Sequence, residues 1–561
     1  MTYMDQYKFW CTKEEIKDRF SADLQFGTGG IRGVMGAGTN RMNSYTVARV
    51  TQGFANYLKE HGEWGKGVGI AYDSRHMSQE FAREAARCLT GNQIPVYLFS
   101  KLTATPILSF AIRHLSLGAG IVITASHNPP EYNGYKVYWE DGAQITQPKD
   151  QEIGQYITRI KDDSAIKRLP VEDAEKEGLL HWLGDELEDE YRKEMEQWVL
   201  SPKALLQAAK DVTIVYTPLH GTGNLPVRRL LSHLGFTSVH VVEEQAEPDG
   251  DFNTVKTPNP EEESAFALAL ELAKKTKADL VLGTDPDGDR MGVYVLEHKT
   301  GEYHRLTGNM TGILICNYLF SRRKDTGRLP VNGALIKTIV TTQMAKTLAD
   351  KYKIKLIEVL TGFKYIGEQM KFFETTKEFT YQFGFEESCG CLVETSVRDK
   401  DAISAAMVLC EAEAYYKTTN SSIWEELCKL YEEFGYYEEC LESLTLKGVD
   451  GLNQIRRIME SFRTNPPKEA GGFKVIGWED YEKGEGGRGG LPKSNVLRFL
   501  LSEDAWFAIR PSGTEPKIKF YFGVKGNSFS DAHKKIKRLK DDVLTGIGQE
   551  EKNESTWHTS G

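Results

Sequence analysis

Asp285, Asp287 and Asp289 alternate on one short stretch, directly after the apolar run Leu280-Val281-Leu282. Three carboxylates this close repel one another unless a cation holds them, and hard oxygen ligands suit Mg2+ or Ca2+. An EF-hand does not fit. The sixth position of such a loop would be Arg290 rather than glycine, and the twelfth Leu296 rather than glutamate. Mg2+ takes few protein carboxylates together with phosphate oxygens, and this loop leaves room for one. A merely solvated acidic turn matches poorly a position immediately after a buried strand.

A second stretch carries a nucleophile. Ile121-Val122-Ile123 runs into Thr124-Ala125-Ser126-His127-Asn128-Pro129-Pro130, which reads as a buried strand ending in a rigid polar loop. Ser126 would stand at the strand's carboxyl end, where open α/β sheets place their ligands. A Ser-His pair there suggests a nucleophile or a phosphoryl carrier; an ST-turn beside a surface histidine satisfies this stretch alone equally well. Downstream, Asn133-Gly134 is a strong turn signal. It predicts that the chain folds back and brings Lys136 towards Ser126, although a solvated lysine has the same pattern.

Further groups suit phosphate and sugar. Arg510, Ser512, Gly513, Thr514 and Lys519 place a guanidinium, two hydroxyls, a glycine backbone and an ammonium around one turn, which makes a phosphate cradle. A plain hairpin tip would not require them together. Glu386, Glu387 and Ser388 close a strand and suit general acid/base work or contacts to sugar hydroxyls, with an acidic turn as the alternative. Near the start, LQFGTGGIRG sets glycines around Thr28 before Arg32, a flexible loop that could wrap an anion. A phosphoryl donor beside a cation, a distant phosphate cradle and hydroxyl-recognising groups between them are what moving a phosphate within one small molecule requires.

The elements around these residues read as α/β. Residues 44–60 form a helix with Val47, Val50, Phe54 and Leu58 on one stripe. Strand 68–71, a helix from Ser78 as N-cap to Thr90 with Gly91 as its stop, strand 94–99 and the Ser126 strand then predict a parallel sheet. A charged helical region from 185 to 200 is stopped by Pro202. Strand 212–216 and a helix opened by Pro260, with Glu261, Glu262 and Glu263 in its first turn, precede the aspartate loop. Strands 334–340, 356–360 and 379–383 and a helix at 341–352 repeat this grammar. The last segment reads as α+β: an antiparallel pair at 505–509 and 517–524, and a closing helix with Ala532, Ile536, Leu539 and Val543 inward. The 484–490 stretch reads as a mobile surface loop, and the polar tail from Gln549 as disordered. The resulting division is 1–205, 206–322, 323–440 and 441–548, with a tail at 549–561.

The chain has 561 residues, 27% charged and 40% hydrophobic, with net charge −10. That is ordinary globular composition and does not favour a nucleic-acid surface. No apolar run approaches the roughly 18 residues of a membrane span, and the start lacks the pattern of a secretory signal. Eight scattered cysteines, Cys389 and Cys391 the closest pair, read as reduced thiols of a cytoplasmic protein.

Thr124-Ala125-Ser126-His127-Asn128-Pro129, Asp285-Pro286-Asp287-Gly288-Asp289-Arg290, Glu386-Glu387-Ser388 and Arg510-Pro511-Ser512-Gly513-Thr514 resemble, in order, the four signature loops of the α-D-phosphohexomutases. The resemblance spans about Phe26 to Tyr521. It implies three similar α/β domains and a C-terminal α+β domain, heart-shaped around one cleft. It also implies that Ser126 is the phosphoserine and that Asp285, Asp287 and Asp289 hold Mg2+ beside its phosphate. Arg32, His127, Lys136 and Arg290 match positions around the transferring phosphate, with Lys136 and Lys400 as acid/base candidates. Thr361, Glu386 and Ser388 match sugar contacts, and Arg510, Ser512, Gly513, Thr514 and Lys519 the distal phosphate site. Some shorter bacterial members have a third-domain histidine suited to proton transfer; none stands near Gly390 here. The implied reaction interconverts glucose 1-phosphate and glucose 6-phosphate through glucose 1,6-bisphosphate. Mannose or pentose phosphates, a bisphosphate synthase and a non-catalytic sugar-phosphate-binding homologue are the alternatives.

Overall fold

The computed structural model describes residues 12–27, 29–62, 64–446, 448–483, 491–512 and 517–555. Thr28, Gly513, Thr514, the 484–490 stretch expected to be a surface loop and the end of the tail, 556–561, lie outside the described residues. The chain divides into two units, Met1–Ala334 with Phe363–Trp424, and Leu335–Gly362 with Glu425–Gly561.

In the first unit, β1 (Gly30–Val34), β2 (Val68–Tyr72), β3 (Val96–Phe99), β4 (Ala119–Ile123), β5 (Tyr132–Trp139) and β6 (Leu180–Leu183) form one sheet in the order β1-β5-β4-β2-β3-β6. β4, β2, β3 and β6 run parallel, but β5 is antiparallel to both β4 and β1. The sheet is therefore mixed, not parallel throughout. The connection from β4 to β5 is too short for a parallel crossover, so the two strands must run in opposite directions.

This arrangement corrects two readings. Arg32 lies within β1, opposite Gly134, rather than on a free loop. Asn133 and Gly134 lie inside β5 rather than at a turn; the fold-back occurs earlier, between β4 and β5. Asn133 Nδ2 donates to Ser78 Oγ and to His76 O, both at 3.0 Å. A Cβ on Gly134 would lie 2.5 Å from Thr124 O, so the glycine answers to close strand packing.

Other boundaries move for local reasons. Met77, at φ 63°, caps the helix Ser78–Gly91, and Ser78 begins it. A helix not anticipated, Thr105–His114, makes the crossover from β3 to β4. Pro202 opens the helix Pro202–Ala208 instead of merely ending a helix before it, consistent with the favoured first-turn place for proline.

The second sheet holds β7 (Thr213–Thr217), β8 (Ser238–Val241), β9 (Leu280–Thr284), β10 (Met291–Glu297) and β11 (Glu302–Leu306), in the order β11-β10-β9-β7-β8. The helix expected from Pro260 starts later, as a 3-10 turn Glu263–Phe266 followed by Ala267–Thr276. Glu261 is thereby free of the helix. β12 (Gly333–Thr338) crosses into the second unit, which also holds β13 (Lys355–Val359). β14 (Thr380–Glu386) and β15 (Gly390–Leu392) form an antiparallel hairpin in the first unit. It precedes the helix Ala402–Thr418, whose N-cap Asp401 accepts from Ile403 N and Ser404 N.

The three α/β segments share a local device. Thr124, Thr217 and Thr338 each stand at a strand's carboxyl end. Each hydroxyl accepts from the amide two residues on: Ser126 N at 2.8 Å, Leu219 N at 3.1 Å and Val340 N at 3.3 Å. Such turns re-aim the chain at the position where α/β sheets present ligand groups.

In the second unit, β16 (Tyr436–Thr445), β17 (Glu469–Ala470), β18 (Phe473–Asp480), β19 (Leu497–Leu501), β20 (Trp506–Pro511) and β21 (Lys517–Gly526) form a six-stranded sheet in the order β16-β21-β20-β19-β18-β17. It extends well beyond the antiparallel pair expected. The helix Phe529–Ser555 buries Ala532, Ile536, Leu539 and Val543 against Phe499, Phe507 and Phe522 of the sheet core. It continues through Ser555, so the tail from Gln549 is helical over its described part.

Candidate active site

The Ser126 loop is built around one buried guanidinium. Ser126 has φ 52°, a left-handed backbone that a non-glycine residue holds only when its surroundings enforce it. Arg75 supplies that enforcement. Nη2 donates to Ser126 O at 2.6 Å and to Asn128 O, and Nη1 donates to Pro129 O at 2.8 Å and Tyr132 O at 3.2 Å. Asp73 backs it, with Oδ2 3.4 Å from Arg75 Nε and both side chains fully buried. Asp73 also accepts from Thr124 Oγ1 at 2.6 Å and Ser78 Oγ at 2.7 Å. The Phe252 ring covers the guanidinium at 5.0 Å.

This loop meets the aspartate loop between β9 and β10. Ser126 Oγ donates to Asp285 Oδ2 at 2.6 Å and lies 3.1 Å from His127 Nδ1. The aspartate loop is pinned from three sides. Asp285 Oδ1 accepts from Asp289 N and Arg290 N at 3.1 and 3.0 Å. Thr222 Oγ1 and N both donate to Pro286 O at 2.9 Å. Thr105 N donates to Asp287 O at 2.9 Å, and its hydroxyl to Asp287 Oδ2 at 3.2 Å.

Asp285, Asp287 and Asp289 are all buried, and one oxygen from each lies within 4.8 Å of the others. Burial and the neighbouring Asp287 and Asp289 hold Asp285 well above the ordinary carboxyl range. Burial acts on Asp287 too, but the Lys136 ammonium and the hydrogen bond with Asp285 outweigh it and leave that carboxyl depressed. The Oδ1 atoms of Asp287 and Asp289 are buried and make no hydrogen bond. Buried polar atoms normally find partners, and two such oxygens beside a third carboxylate fit a hard divalent cation.

Two lysines flank the carboxylates. Lys136 Nζ donates to Asp287 Oδ2 at 2.9 Å and lies 3.7 Å from Asp289 Oδ2. Lys400 Nζ lies 3.2 Å from Asp289 Oδ2 and 3.1 Å from Asp399 Oδ1. Burial alone would lower both ammoniums. The pull of Asp287 and Asp289 on Lys136, and of Asp289 and Asp399 on Lys400, outweighs it, so both stand above the ordinary lysine value.

Arg290 leaves the same loop and donates to Glu261 Oε1 at 2.6 Å. Arg32 Nη1 donates to Asn128 Oδ1 at 3.1 Å. Burial, with Arg290 and Arg32 nearby, holds His127 well below its usual value, so the imidazole is neutral at pH 7. At the end of β14, Ser388 Oγ donates to Glu386 Oε1 at 3.0 Å. Burial raises Glu386, with Lys400 and Arg290 opposing.

Ser126, His127, Lys136, Arg32, Asp285, Asp287, Asp289, Arg290, Glu386, Ser388 and Lys400 thus all lie in the first unit. Thr361, Arg510, Ser512 and Lys519 belong to the second. There, Arg510 and Lys519 stand directly opposite each other on β20 and β21, which puts two cationic side chains on one face. Ser512 N donates to Lys517 O at 2.7 Å.

Arg75, Asp73, Thr105, Thr222, Glu261 and Asp399 are contacts the sequence reading did not single out. Asp73-Ser74-Arg75 carried one usable signal, a charged pair at the end of a predicted buried strand. Thr105 lies in the helix that was missed, and Glu261 in one placed too early.

Comparison with known proteins identifies the family. The family models for phosphoglucomutase/phosphomannomutase alpha/beta/alpha domains I, II and III match residues 23–164, 189–298 and 307–431. The phosphoglucomutase of Staphylococcus epidermidis is 39% identical over 534 residues, covering 94% of this chain and 95% of the relative. That of Staphylococcus aureus is 38% identical over 534 residues, covering 94% of each. Among solved structures, Paramecium parafusin, a phosphoglucomutase in its open form, aligns with a TM-score of 0.70 at 18% identity over 94% of both chains. A phosphoglucomutase/phosphomannomutase family protein from Burkholderia thailandensis aligns at 0.66 and 19% identity over 94% of this chain and 97% of the other. Three family models that together span most of the chain, and relatives of this identity and coverage, on a fold that sets a serine hydroxyl on a buried carboxylate cluster, lead to one conclusion: the chain belongs to the phosphoglucomutase/phosphomannomutase family and is a phosphosugar mutase.

Proposed function

We propose that the protein interconverts glucose 1-phosphate and glucose 6-phosphate, with Ser126 carrying the phosphoryl group and glucose 1,6-bisphosphate as the intermediate. The observation that carries this is Ser126 Oγ on Asp285 Oδ2 at 2.6 Å, at the edge of a buried carboxylate cluster flanked by two ammoniums. The phosphoglucomutases of two Staphylococcus species support the choice of sugar.

Asp285, Asp287 and Asp289 would hold Mg2+, together with an oxygen of the phosphorylated Ser126. A bound Mg2+ would offset charge on the transferring phosphoryl group. Arg32, neutral His127 and Arg290 surround the same group. Lys136 and Lys400 enter as ammoniums. Either can protonate Ser126 Oγ as the phosphoryl departs, the resulting amine takes the proton that the attacking sugar hydroxyl gives up, and the return of a phosphoryl group to Ser126 reverses both transfers. Lys400 also answers the missing histidine near Gly390. Glu386, Ser388 and Thr361 receive the sugar hydroxyls. Arg510, Ser512, Gly513, Thr514 and Lys519 hold the distal phosphate, and the opposed cations Arg510 and Lys519 favour a dianion between them. The bisphosphate must bind both ways round, so that either phosphate can face Ser126.

The four segments 1–205, 206–322, 323–440 and 441–548 each contribute one loop. Among the described residues no helix is long and apolar enough to cross a membrane. The buried Cys88, Cys316, Cys391 and Cys410 are thiols rather than disulfides, in keeping with a cytoplasmic enzyme.

The test is a coupled assay with Mg2+ and a trace of glucose 1,6-bisphosphate, comparing glucose, mannose and ribose 1-phosphates by kcat/KM with Ser126→Ala as control. Strong turnover of glucose 1-phosphate, lost in the variant, is the expected result. Preference for another sugar would reassign the substrate. No turnover of any of the three, with sugar phosphate still bound, would sink the mutase reading for these sugars and point to a synthase that draws on a separate phosphoryl donor, an untested sugar or a binding protein.

A further inference from the structure

β5 places two side chains of the same face, Lys136 and Tyr138, near the carboxylate loop. Lys136 reaches it directly, 2.9 Å from Asp287 Oδ2. Tyr138 reaches it through the third α/β segment. Its fully buried phenol donates to Asp399 Oδ2 at 2.7 Å. The other oxygen, Asp399 Oδ1, accepts from Lys400 Nζ at 3.1 Å and from Lys400 N at 2.8 Å. The Lys400 ammonium then stands between Asp399 and Asp289 Oδ2, over the Phe363 ring at 5.6 Å. The lysine stem lies across Gly390: a Cβ there would come 2.2 Å from Lys400 Cδ and 2.8 Å from Cγ.

Among the described residues, the Asp399 carboxylate makes no hydrogen bond or ion pair beyond those to Tyr138 and Lys400. The helix that follows is capped by Asp401, whose carboxylate takes Ile403 N and Ser404 N. A buried carboxylate costs stability unless its oxygens are engaged, and both engagements of Asp399 converge on where Lys400 points. A lysine stem has four rotatable bonds and no fork to fix its direction. Lys400 therefore needs external restraint to stay in register with the phosphoryl group.

We infer that Asp399, anchored by Tyr138 and given clearance by Gly390, is a positioning residue that fixes the Lys400 ammonium beside the carboxylate loop. It touches neither sugar nor phosphate and acts only through Lys400. The inference rests on the proposed role of Lys400 and adds the device that makes that role geometrically possible.

The experiment is a set of double-mutant cycles on the full-length enzyme. Tyr138→Phe, Asp399→Asn and Gly390→Ala are each made in the wild-type and Lys400→Met backgrounds. The rate of phosphoryl loss from phosphorylated Ser126 to glucose 1-phosphate is read by intact mass, with KM from the coupled assay. Tyr138→Phe removes one hydroxyl and keeps the ring, so it carries the test even where Asp399→Asn fails to fold. The expected result is a loss of about tenfold for Tyr138→Phe and more for Asp399→Asn, with KM within about twofold. In the Lys400→Met background the same changes should alter the rate by less than about twofold. Equal losses in both backgrounds would overturn the inference, because the pair would then be merely structural. So would intact activity in Tyr138→Phe and Asp399→Asn when Lys400→Met is impaired. Full activity in Lys400→Met would instead remove the role of Lys400 itself, and the inference with it.

Discussion

Replacing Arg75 by lysine keeps the charge and removes the shape. The guanidinium serves four carbonyls of residues 126–132, those of Ser126, Asn128, Pro129 and Tyr132, and its side chain is wholly buried with Asp73. An ammonium has three donors on one point and cannot span the loop as a planar fork does. At least one carbonyl therefore loses its partner, and the Asp73 pair is stretched. With charge-assisted bonds worth about 1.5–3 kcal/mol each, Arg75→Lys should loosen the loop by about 2–4 kcal/mol. If that falls on the conformation that presents Ser126 at φ 52°, kcat drops by roughly thirtyfold to a thousandfold. KM should change little, since Arg75 faces the back of the loop. The assay pairs kcat with hydrogen exchange of the amides of residues 124–132, which should lose protection in the variant while those of β2 and β4 keep theirs. If both the loop amides and kcat stay within about twofold of wild type, the guanidinium is not what holds the loop, and the reasoning fails.

Three further outcomes follow from the same geometry. Gly134→Ala should destabilise the first unit by about 1–3 kcal/mol and depress kcat, because the added Cβ has Thr124 O 2.5 Å away and neither strand can give; urea unfolding with unchanged stability would contradict this. Asp287→Asn should raise the half-saturating Mg2+ concentration at least about tenfold, and a mutase titration with the wild-type Mg2+ dependence would remove Asp287 from the metal site. Glu394 is pushed up to about 8 by burial and by Asp401, against its hydrogen bonds from Ser396. Its contribution to stability is therefore fully present below the unfolded value of about 4.3 and is lost as pH rises towards 8. Glu394→Gln should flatten that slope between pH 5 and 8, and an unchanged slope would place the titration elsewhere.

How much was legible in the sequence depended on how local the signal was. Asp285, Asp287 and Asp289, and Ser126 after Ile121-Val122-Ile123, stood out because an apolar run ending in polar residues marks a strand's carboxyl end whatever surrounds it. Asn133-Gly134 misled for the opposite reason. The dipeptide is a turn former by itself, but pairing with β1 and β4 overrode that preference and used the glycine for its missing Cβ. Glu261 looked like a helix-start acid, and the chain spends it on Arg290 instead.

The sequence by itself determined the alternation of strands and helices, the order of the four polar loops, and the chemical groups each loop brings: hydroxyl, carboxylates, sugar acceptors and cations. These follow from residue type and short-range periodicity. Only the tertiary structure decided which distant residues meet. Arg75 gathers carbonyls some fifty positions away, Lys136 and Lys400 share Asp289, and Tyr138 reaches Asp399 across 261 positions. A buried charge has no sequence period. Its partner is set by which strand ends face each other once the cores have packed, and that is a property of the fold as a whole.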